Sequence, residues 1–452
     1  MKRDVAYDLA TYAVKASFPD LSESTLRISK KFILDTIGLM IAGSAASGCG
    51  EVASYINDIG GKQESTVFMF GHKVPSFHAA FVNAMMGHAL DYDDTHEEAI
   101  VHANVTILPS ALAVAESEKR VSGKDFLLAY ALGIDCACRI GLAMGLPQSW
   151  HHTPVCGYFG SALSSAKILG LDETKTVNAL GIAYSQVAGT LQPLVDTALV
   201  KRIHPGFAAR GGVFAAMLAR QGITGSKRIF GGEYGFFKKY QGANPDILCK
   251  GLGKTFEVDN LSSKPYPCCM CTHGGITAAL DLVKEHDIRP KDIKEVEVIT
   301  SRYSHGLIGS PFEIRDNPQV DAQFSGAYTV AAAIIRRKFG IAEIQEDSVR
   351  DPEILSLAKR VKCSADDNIK TSLAPVTVRF DLGDGSSVSK RVDVLKGNPA
   401  NPTTEEEDMQ KFNECVEFGL KRMSDEKRDT LVHLILNLES VSDVEEIVEC
   451  LA

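Results

Sequence analysis

The chain has 452 residues, of which 45% are hydrophobic and 23% charged, with a formal net charge of −9. That length is about three times a typical domain and predicts two domains, while the composition is globular and argues against disorder or a bilayer-embedded chain. An acidic balance has the wrong sign for tracking phosphate backbones, so nucleic acid is not an expected partner.

The first residues, MKRDVAYDLATYAVKASF, interrupt their apolar positions with Asp and Lys, which predicts a surface helix rather than a secretory signal. The apolar run over residues 32–42 contains Asp35 and falls far short of the ~20 residues a bilayer demands. No membrane association is expected. Eleven cysteines, an odd number spread over a long chain, suit reduced thiols and a cytoplasmic location better than a disulfide framework.

Residues 76–89 place Phe77, Phe81, Met85 and His88 at three-to-four-residue spacing, the period of a packed helix. Residues 107–115 begin another, with Pro109 fitting a first-turn position. Between them, residues 88–102 read HALDYDDTHEEAIVH, three histidines and five carboxylates. Two readings fit this segment: a solvated acidic turn, or a loop held rigid by apolar helices at both ends, as catalysis requires.

As far as about residue 240 the pattern is helical. Stretches such as FILDTIGLMIAGS, DFLLAYALGIDCACRIGLAMGL and GYFGSALSSAKILGL carry small residues that let helices approach closely, predicting a large all-α domain. Within it, Trp150-His151-His152-Thr153 precedes a small-residue helix, where a histidine is either satisfied by backbone or functional. Lys201 and Lys264 stand near Pro or Gly, hence near element ends, and solvation is the ordinary fate of a lysine. Gly251-Leu252-Gly253-Lys254-Thr255 ends like a phosphate-binding loop, but Leu248 occupies the place of the required first glycine. Cys268-Cys269-Met270-Cys271-Thr272-His273 lacks zinc-ligand spacing, because adjacent cysteines do not readily take separate vertices of one tetrahedron. Neither a metal nor a nucleotide is expected.

The character changes near residue 261. Residues 293–300 alternate with period two, and the apolar alternation at 376–380 and 388–394 flanks LGDGSS, a hairpin signal. Helical patterns cover 274–286 and 322–339, completing a smaller α+β domain. Thr404 caps a helix whose first turn holds Glu405, Glu406, Glu407 and Asp408, and Ser442 and Glu445 have capping-box spacing before a last short helix. The predicted organisation is mainly α: a discontinuous helical domain over 1–260 and 402–452, and an α+β domain over 261–401.

Taken together, these segments resemble the MmgE/PrpD family. The matching stretches are Leu34-Asp35-Thr36 with Ala42-Gly43-Ser44; AAFVNAMMGHALDYDDTH; WHHTPVCGYFGSA; Lys201 with Gly206-Phe207-Ala208-Ala209-Arg210; Gly232-Glu233-Tyr234-Gly235-Phe236; Lys264-Pro265-Tyr266-Pro267; and Lys396-Gly397-Asn398-Pro399-Ala400-Asn401-Pro402 followed by Lys411-Phe412. The resemblance implies a helical domain plus an α+β lid, a homodimer, and a site in the cleft that needs no metal or cofactor. Its site positions carry over as Asp91, Thr95, His102, His151, Lys201 and Lys264. Two departures stand out: Ala103 follows His102 where the family often has Pro, and Cys269 occupies the place of a histidine in decarboxylase-like members, as in epimerase-like members.

The family reactions share a carbanion beside a carboxylate in a small polycarboxylic acid. His102 or His151 suits the proton transfer, and Lys201 and Lys264 suit the developing negative charge and the substrate carboxylates. Asp91 is expected to orient a histidine or accept from a substrate hydroxyl, with Thr95 as a neutral donor and Asp94 and His152 also touching substrate. The acidic neighbours are expected to raise a histidine pKa, and Cys269 to serve as a second acid. The expected activity is a lyase, 2-methylcitrate dehydratase-like or cis-aconitate decarboxylase-like. An iminodisuccinate-epimerase-like activity and a non-catalytic binding protein on the same fold are the alternatives.

Overall fold

The computed structural model describes residues 3–145, 149–240 and 244–452; Met1, Lys2 and Leu146, which end two of the helical stretches above, lie outside them. The helical part comprises α1 (Val5–Lys15), α2 (Glu23–Gly43), α3 (Cys49–Ile59), α4 (Ser76–His88), α5 (Asn104–Glu118), α6 (Gly123–Met144), α7 (His152–Ile168), α8 (Glu173–Tyr184), α9 (Gln192–Val195), α10 (Val200–Arg220) and α11 (Phe236–Lys239). Two short antiparallel pairings accompany it: β1 (Ser65–Thr66) with β2 (Lys73–Val74), and β3 (Thr95–His96) with β4 (Leu261–Ser262).

Every residue of α4 except Phe77 is buried, the pattern of a helix enclosed on all sides. It lies against α2, α5 and α10, while α7 lies against α5, α6 and α10. Small residues permit this density. A Cβ on Gly212 of α10 would stand 2.4 Å from Ser161 Cβ of α7, and one on Gly160 would stand 2.6 Å from the Gly133 carbonyl of α6. Helix α6 has the length and apolarity of a membrane span, yet 94% of its most apolar window is buried inside the protein. It also carries a buried ion pair, Arg139 Nε to Asp135 Oδ2 at 2.7 Å.

The smaller α+β part contains α12 (Met270–His286), β5 (Ile293–Thr300), α13 (Arg302–Ile308), α14 (Pro318–Gln323), α15 (Gly326–Arg336), α16 (Glu346–Val349), α17 (Pro352–Ala358), β6 (Val361–Ala365), β7 (Val376–Leu382) and β8 (Ser387–Val392). The sheet order is β6-β5-β7-β8. Strands β7 and β8 form the expected hairpin, and β6 joins parallel to β5. Helix α12 covers the sheet and packs on α15. The chain closes with α18 (Glu405–Phe418), α19 (Asp425–Leu436) and α20 (Glu445–Glu449), of which α18 and α19 pack on α2.

Four local expectations need correction. Helix α5 starts at Asn104, so Pro109 is interior; one residue beyond the hydrogen bond it breaks, the Ser110 and Ser161 hydroxyls both donate to the Thr106 carbonyl. The helical pattern over 322–339 is two helices, because the Ser325 side chain caps the Tyr328 N–H and restarts the helix. Strand β6 was not foreseen. Ser442 does not cap α20; Asp443 Oδ1 takes the Glu445 N–H instead. The Thr404 capping box with Glu407 is present as expected.

Lys411 on α18 ties the carboxy-terminal helices to the core. Its ammonium pairs with Asp35 Oδ1 at 2.7 Å, donates to the Tyr92 carbonyl at 2.9 Å and stands 4.0 Å from the Tyr92 ring centroid. Removing one member of a buried pair leaves an uncompensated charge, at a cost of about 3–5 kcal/mol, whereas removing both can be nearly neutral. Lys411→Met should therefore lower stability by that amount in urea denaturation, and Asp35→Leu added to it should recover most of the loss. Equal destabilisation of single and double variants would contradict the pairing.

Candidate active site

The segment between α4 and α5 is sunk into the protein. Asp91, Asp93, Asp94, Thr95 and His96 are all buried, and only Glu98 is exposed, so the solvated-turn reading fails. Three distant stretches hold it there. The β3–β4 register pairs Thr95 with Ser262, which carries Lys264 to the backbone of Asp91. Gly397, at φ +94°, accepts the Ser263 N–H at its carbonyl oxygen at 2.9 Å. A Cβ there would stand 2.1 Å from the Ser263 carbonyl oxygen, so only glycine permits this seat beside Lys264. Asn398 Nδ2 donates to Glu97 Oε1 at 2.8 Å, and Lys411 holds the Tyr92 carbonyl.

Asp91 occupies the left-handed region, φ +52°, which Asp tolerates better than most side chains. Its two oxygens face different cations. Lys201 Nζ, from the first turn of α10, donates to Oδ1 at 2.5 Å; Lys264 Nζ donates to Oδ2 at 3.1 Å and to the Asp91 carbonyl at 2.9 Å. Burial opposes ionisation of Asp91, but the two ammonium groups outweigh it and hold its pKa well below the usual range. Burial likewise opposes the charge on Lys264, yet Asp91 and Asp93 raise its pKa. An ammonium has three donors, so Lys264 keeps one N–H and Lys201 two beyond those given to Asp91.

Beside this clamp is a hollow of about 90 Å³, well below the ~300–1,000 Å³ of pockets for drug-sized ligands. The helical part lines it with Asp91, Thr95, Ile100, His102, His151, Thr190, Leu191, Leu194 and Lys201; the α+β part adds Lys264, Cys269, Met270, Cys271, Tyr303, Leu307, Phe324 and Leu373. Asp91, Thr95, His102, His151, Lys201, Lys264 and Cys269 thus converge on one cavity where the two parts meet. Ile100 there has φ +54°, an uncommon conformation for a β-branched residue and a form of strain that collects at functional sites.

His102 Nδ1 stands 2.6 Å from the Asp94 carbonyl, 3.2 Å from Thr95 Oγ1 and 3.4 Å from Asp93 Oδ2. A carbonyl only accepts, so Nδ1 carries the hydrogen and Nε2 offers a lone pair to the cavity. Thr95 can accept from the same N–H and keep its own hydroxyl hydrogen for a ligand.

Three assigned roles change. Asp94 does not line the cavity: its oxygens accept from the Ala103 and Asn104 N–H groups, each at 3.2 Å, at the start of α5, and burial beside Asp93 pushes its pKa up to about 8. His152 also lies behind the wall, with Nδ1 3.0 Å from the Ala99 carbonyl. Asp91 aims lysines, and the carboxylate that orients histidine is Asp93, 2.8 Å from His88 Nδ1. His88, Asp93 and His204, the last 3.1 Å from His151 through both Nδ1 atoms, were not singled out from sequence, although the His88 ring is 5.3 Å from that of His102 and 5.9 Å from that of His151.

Metal-ligand geometry has one candidate among the described residues: donor atoms of His88, Asp91 and Asp93 lie within 4.8 Å of one another. Two ammonium groups already take both Asp91 oxygens, so positive charge is supplied there by lysine.

The acidic neighbours do not raise the histidine pKa values. Burial dominates, pushing His102 down to about 4 against the pull of Asp93, and holding His88 and His151 low as well. His102 is consequently a neutral base at physiological pH. Unfolded histidines titrate near 6.5, so the unfolded chain takes up protons first and stability falls as pH drops from about 6.5 through about 4. The thermal midpoint should decline between pH 7 and pH 5; a flat profile would contradict neutral burial of these rings.

The cis-aconitate decarboxylase-like protein oryM of Aspergillus oryzae is 27% identical over 98% of this chain and 96% of its own length. The cis-aconitate decarboxylase of Aspergillus terreus is 28% identical over 100% of this chain and 96% of its own, and that of Homo sapiens 28% over 98% and 93%. The MmgE/PrpD N-terminal domain matches residues 7–247 and the MmgE/PrpD C-terminal domain residues 266–438. This chain belongs to the MmgE/PrpD family.

Proposed function

We propose that the chain is a cofactor-independent lyase of a small di- or tricarboxylic acid, decarboxylating or dehydrating it through a carbanion beside a carboxylate. The observation that carries this reading is the convergence of Lys201, Lys264, His102 and His151 on one small cavity. The names of the relatives favour cis-aconitate, and 2-methylcitrate-type dehydration uses the same groups. The spare N–H donors of Lys201 and Lys264 meet substrate carboxylates and, in a site closed to water, stabilise enolate charge. His102 Nε2 moves the proton. With its imidazoles neutral, the two ammonium and two carboxylate groups of the site cancel, so an incoming polyanion raises the histidine pKa values and brings protons with it.

Epimerisation is the second reading, favoured by one observation. Cys269 lines the cavity just before the first turn of α12, and a hydrogen bond from Cys271 lowers its thiol pKa, which suits a second acid–base group. A non-catalytic binding role accounts less well for two buried lysines aimed by one carboxylate. Residues 261–401 would act as the lid, since that segment contributes Cys269, Tyr303, Leu307 and Phe324 to the cavity wall. Eleven free cysteines support a cytoplasmic location. A homodimer would cover the exposed Phe207 and Phe214 of α10, whose rings lie tilted against Phe81 and Phe77; light scattering should then give twice 48.8 kDa, and a monomer would overturn it.

The reaction is tested by NMR of the purified protein in D₂O with cis-aconitate, 2-methylcitrate or iminodisuccinate. Loss of CO₂ or alkene formation supports the lyase, whereas deuterium exchange with inversion supports the epimerase. His102→Asn, which keeps an N–H at the place of Nδ1 and removes the Nε2 base, should lower kcat roughly 10²–10⁴-fold at unchanged thermal midpoint. Inertness toward all three acids would overturn the reading.

A further inference from the structure

Behind the cavity wall, His204 on α10 is outside the lining but hydrogen-bonded to a residue inside it: His151 Nδ1 and His204 Nδ1 are 3.1 Å apart, with ring centroids 5.4 Å apart. A hydrogen bond between two imidazole nitrogens needs one hydrogen and one lone pair, so a neutral pair joined through both Nδ1 atoms is locked into opposite tautomers. The surroundings choose which ring donates. An anion in a cavity flanked by ammonium groups is met best by a donor at His151 Nε2. A neutral His151 with its hydrogen on Nε2 accepts at Nδ1, and His204 must then donate. That leaves Nε2 of His204 as the lone-pair nitrogen of its ring. The cavity neighbours fit this state: Lys201 lies three residues before His204 on the same helix, His88 faces His151 from α4, and the strap at Gly189 takes the His151 N–H at 3.0 Å and fixes the ring's backbone.

We propose that His204 is a positioning residue that fixes His151 as a neutral Nε2–H donor toward a substrate carboxylate or enolate oxygen. The Asp94 carbonyl meanwhile fixes His102 in the opposite tautomer, as the base. Two histidines in one cavity thereby receive different tasks from groups that never touch the ligand. The catalytic half of this assignment rests on the lyase reading above; the tautomer itself does not.

The test joins kinetics to a readout that is independent of turnover. In ¹⁵N NMR of histidine-labelled protein with bound tricarballylate, a saturated tricarboxylate, His151 should show a protonated Nε2 and a bare Nδ1. His204→Asn keeps an N–H at the place of Nδ1 and should preserve both this signature and kcat with cis-aconitate. His204→Leu should lose the signature and lower kcat about 10²-fold, with KM changing much less. If the tautomer is as stated but cis-aconitate, 2-methylcitrate and iminodisuccinate all stay unchanged, the lyase reading fails and the positioning role stands for anion binding. A hydrogen on His151 Nδ1 in the wild-type complex, or equal losses in His204→Asn and His204→Leu, would overturn the proposal.

Discussion

One carboxylate, Asp91, holds two ammonium groups at the seam between the helical and α+β parts. Burying three charges is costly unless each is paired and hydrogen-bonded in good geometry, and the surrounding structure supplies that geometry. Lys201 arrives from the first turn of α10 and Lys264 from just beyond β4, each on a separate Asp91 oxygen. Losing Asp91 would leave both ammonium groups without their shared partner in the interior. The clamp therefore couples the folding of the two parts to the assembly of the site.

The stretches that first pointed to a family are largely the supports of this clamp. Asp35 holds the Lys411 ammonium, which donates to the Tyr92 carbonyl, and the Gly397 turn seats against Ser263. Gly206 lets α10 approach the Phe81 carbonyl of α4, where a Cβ would stand 2.6 Å from it. None of these groups lines the cavity. They position the ones that do, as an active site held on rigid elements requires.

The fold class was legible because it rests on local signals, whereas most of the titratable wall was reached through the family resemblance, since the local sequence leaves Lys201, Lys264 and His151 as ordinary residues. Period-two alternation placed β5, LGDGSS placed the β7–β8 hairpin, and small-residue spacing marked the close-packed helices. What stayed hidden depends on tertiary environment. Whether the carboxylates of residues 88–102 would be solvated or buried could not be read from their own sequence, and burial reversed the expected direction of the His102 pKa. Asp94 and His152 carry the residue types of a site, yet backbone groups claim them. His204 looked like an ordinary helix residue beside Pro205, since only the packing of α10 on α7 brings it to His151. The helix break at Phe324 ran against its apolar pattern, and it places that side chain in the cavity wall. Local rules failing at a functional site is a general expectation.

The most direct measurement is the crystal structure of the protein with tricarballylate bound. Two of its carboxylates should lie within hydrogen-bond distance of Lys201 Nζ and Lys264 Nζ while Asp91 still holds both ammonium groups, with His102 Nε2 and His151 Nε2 facing the carbon chain. A ligand seated elsewhere, or lysines turned away from Asp91 to reach it, would contradict the account.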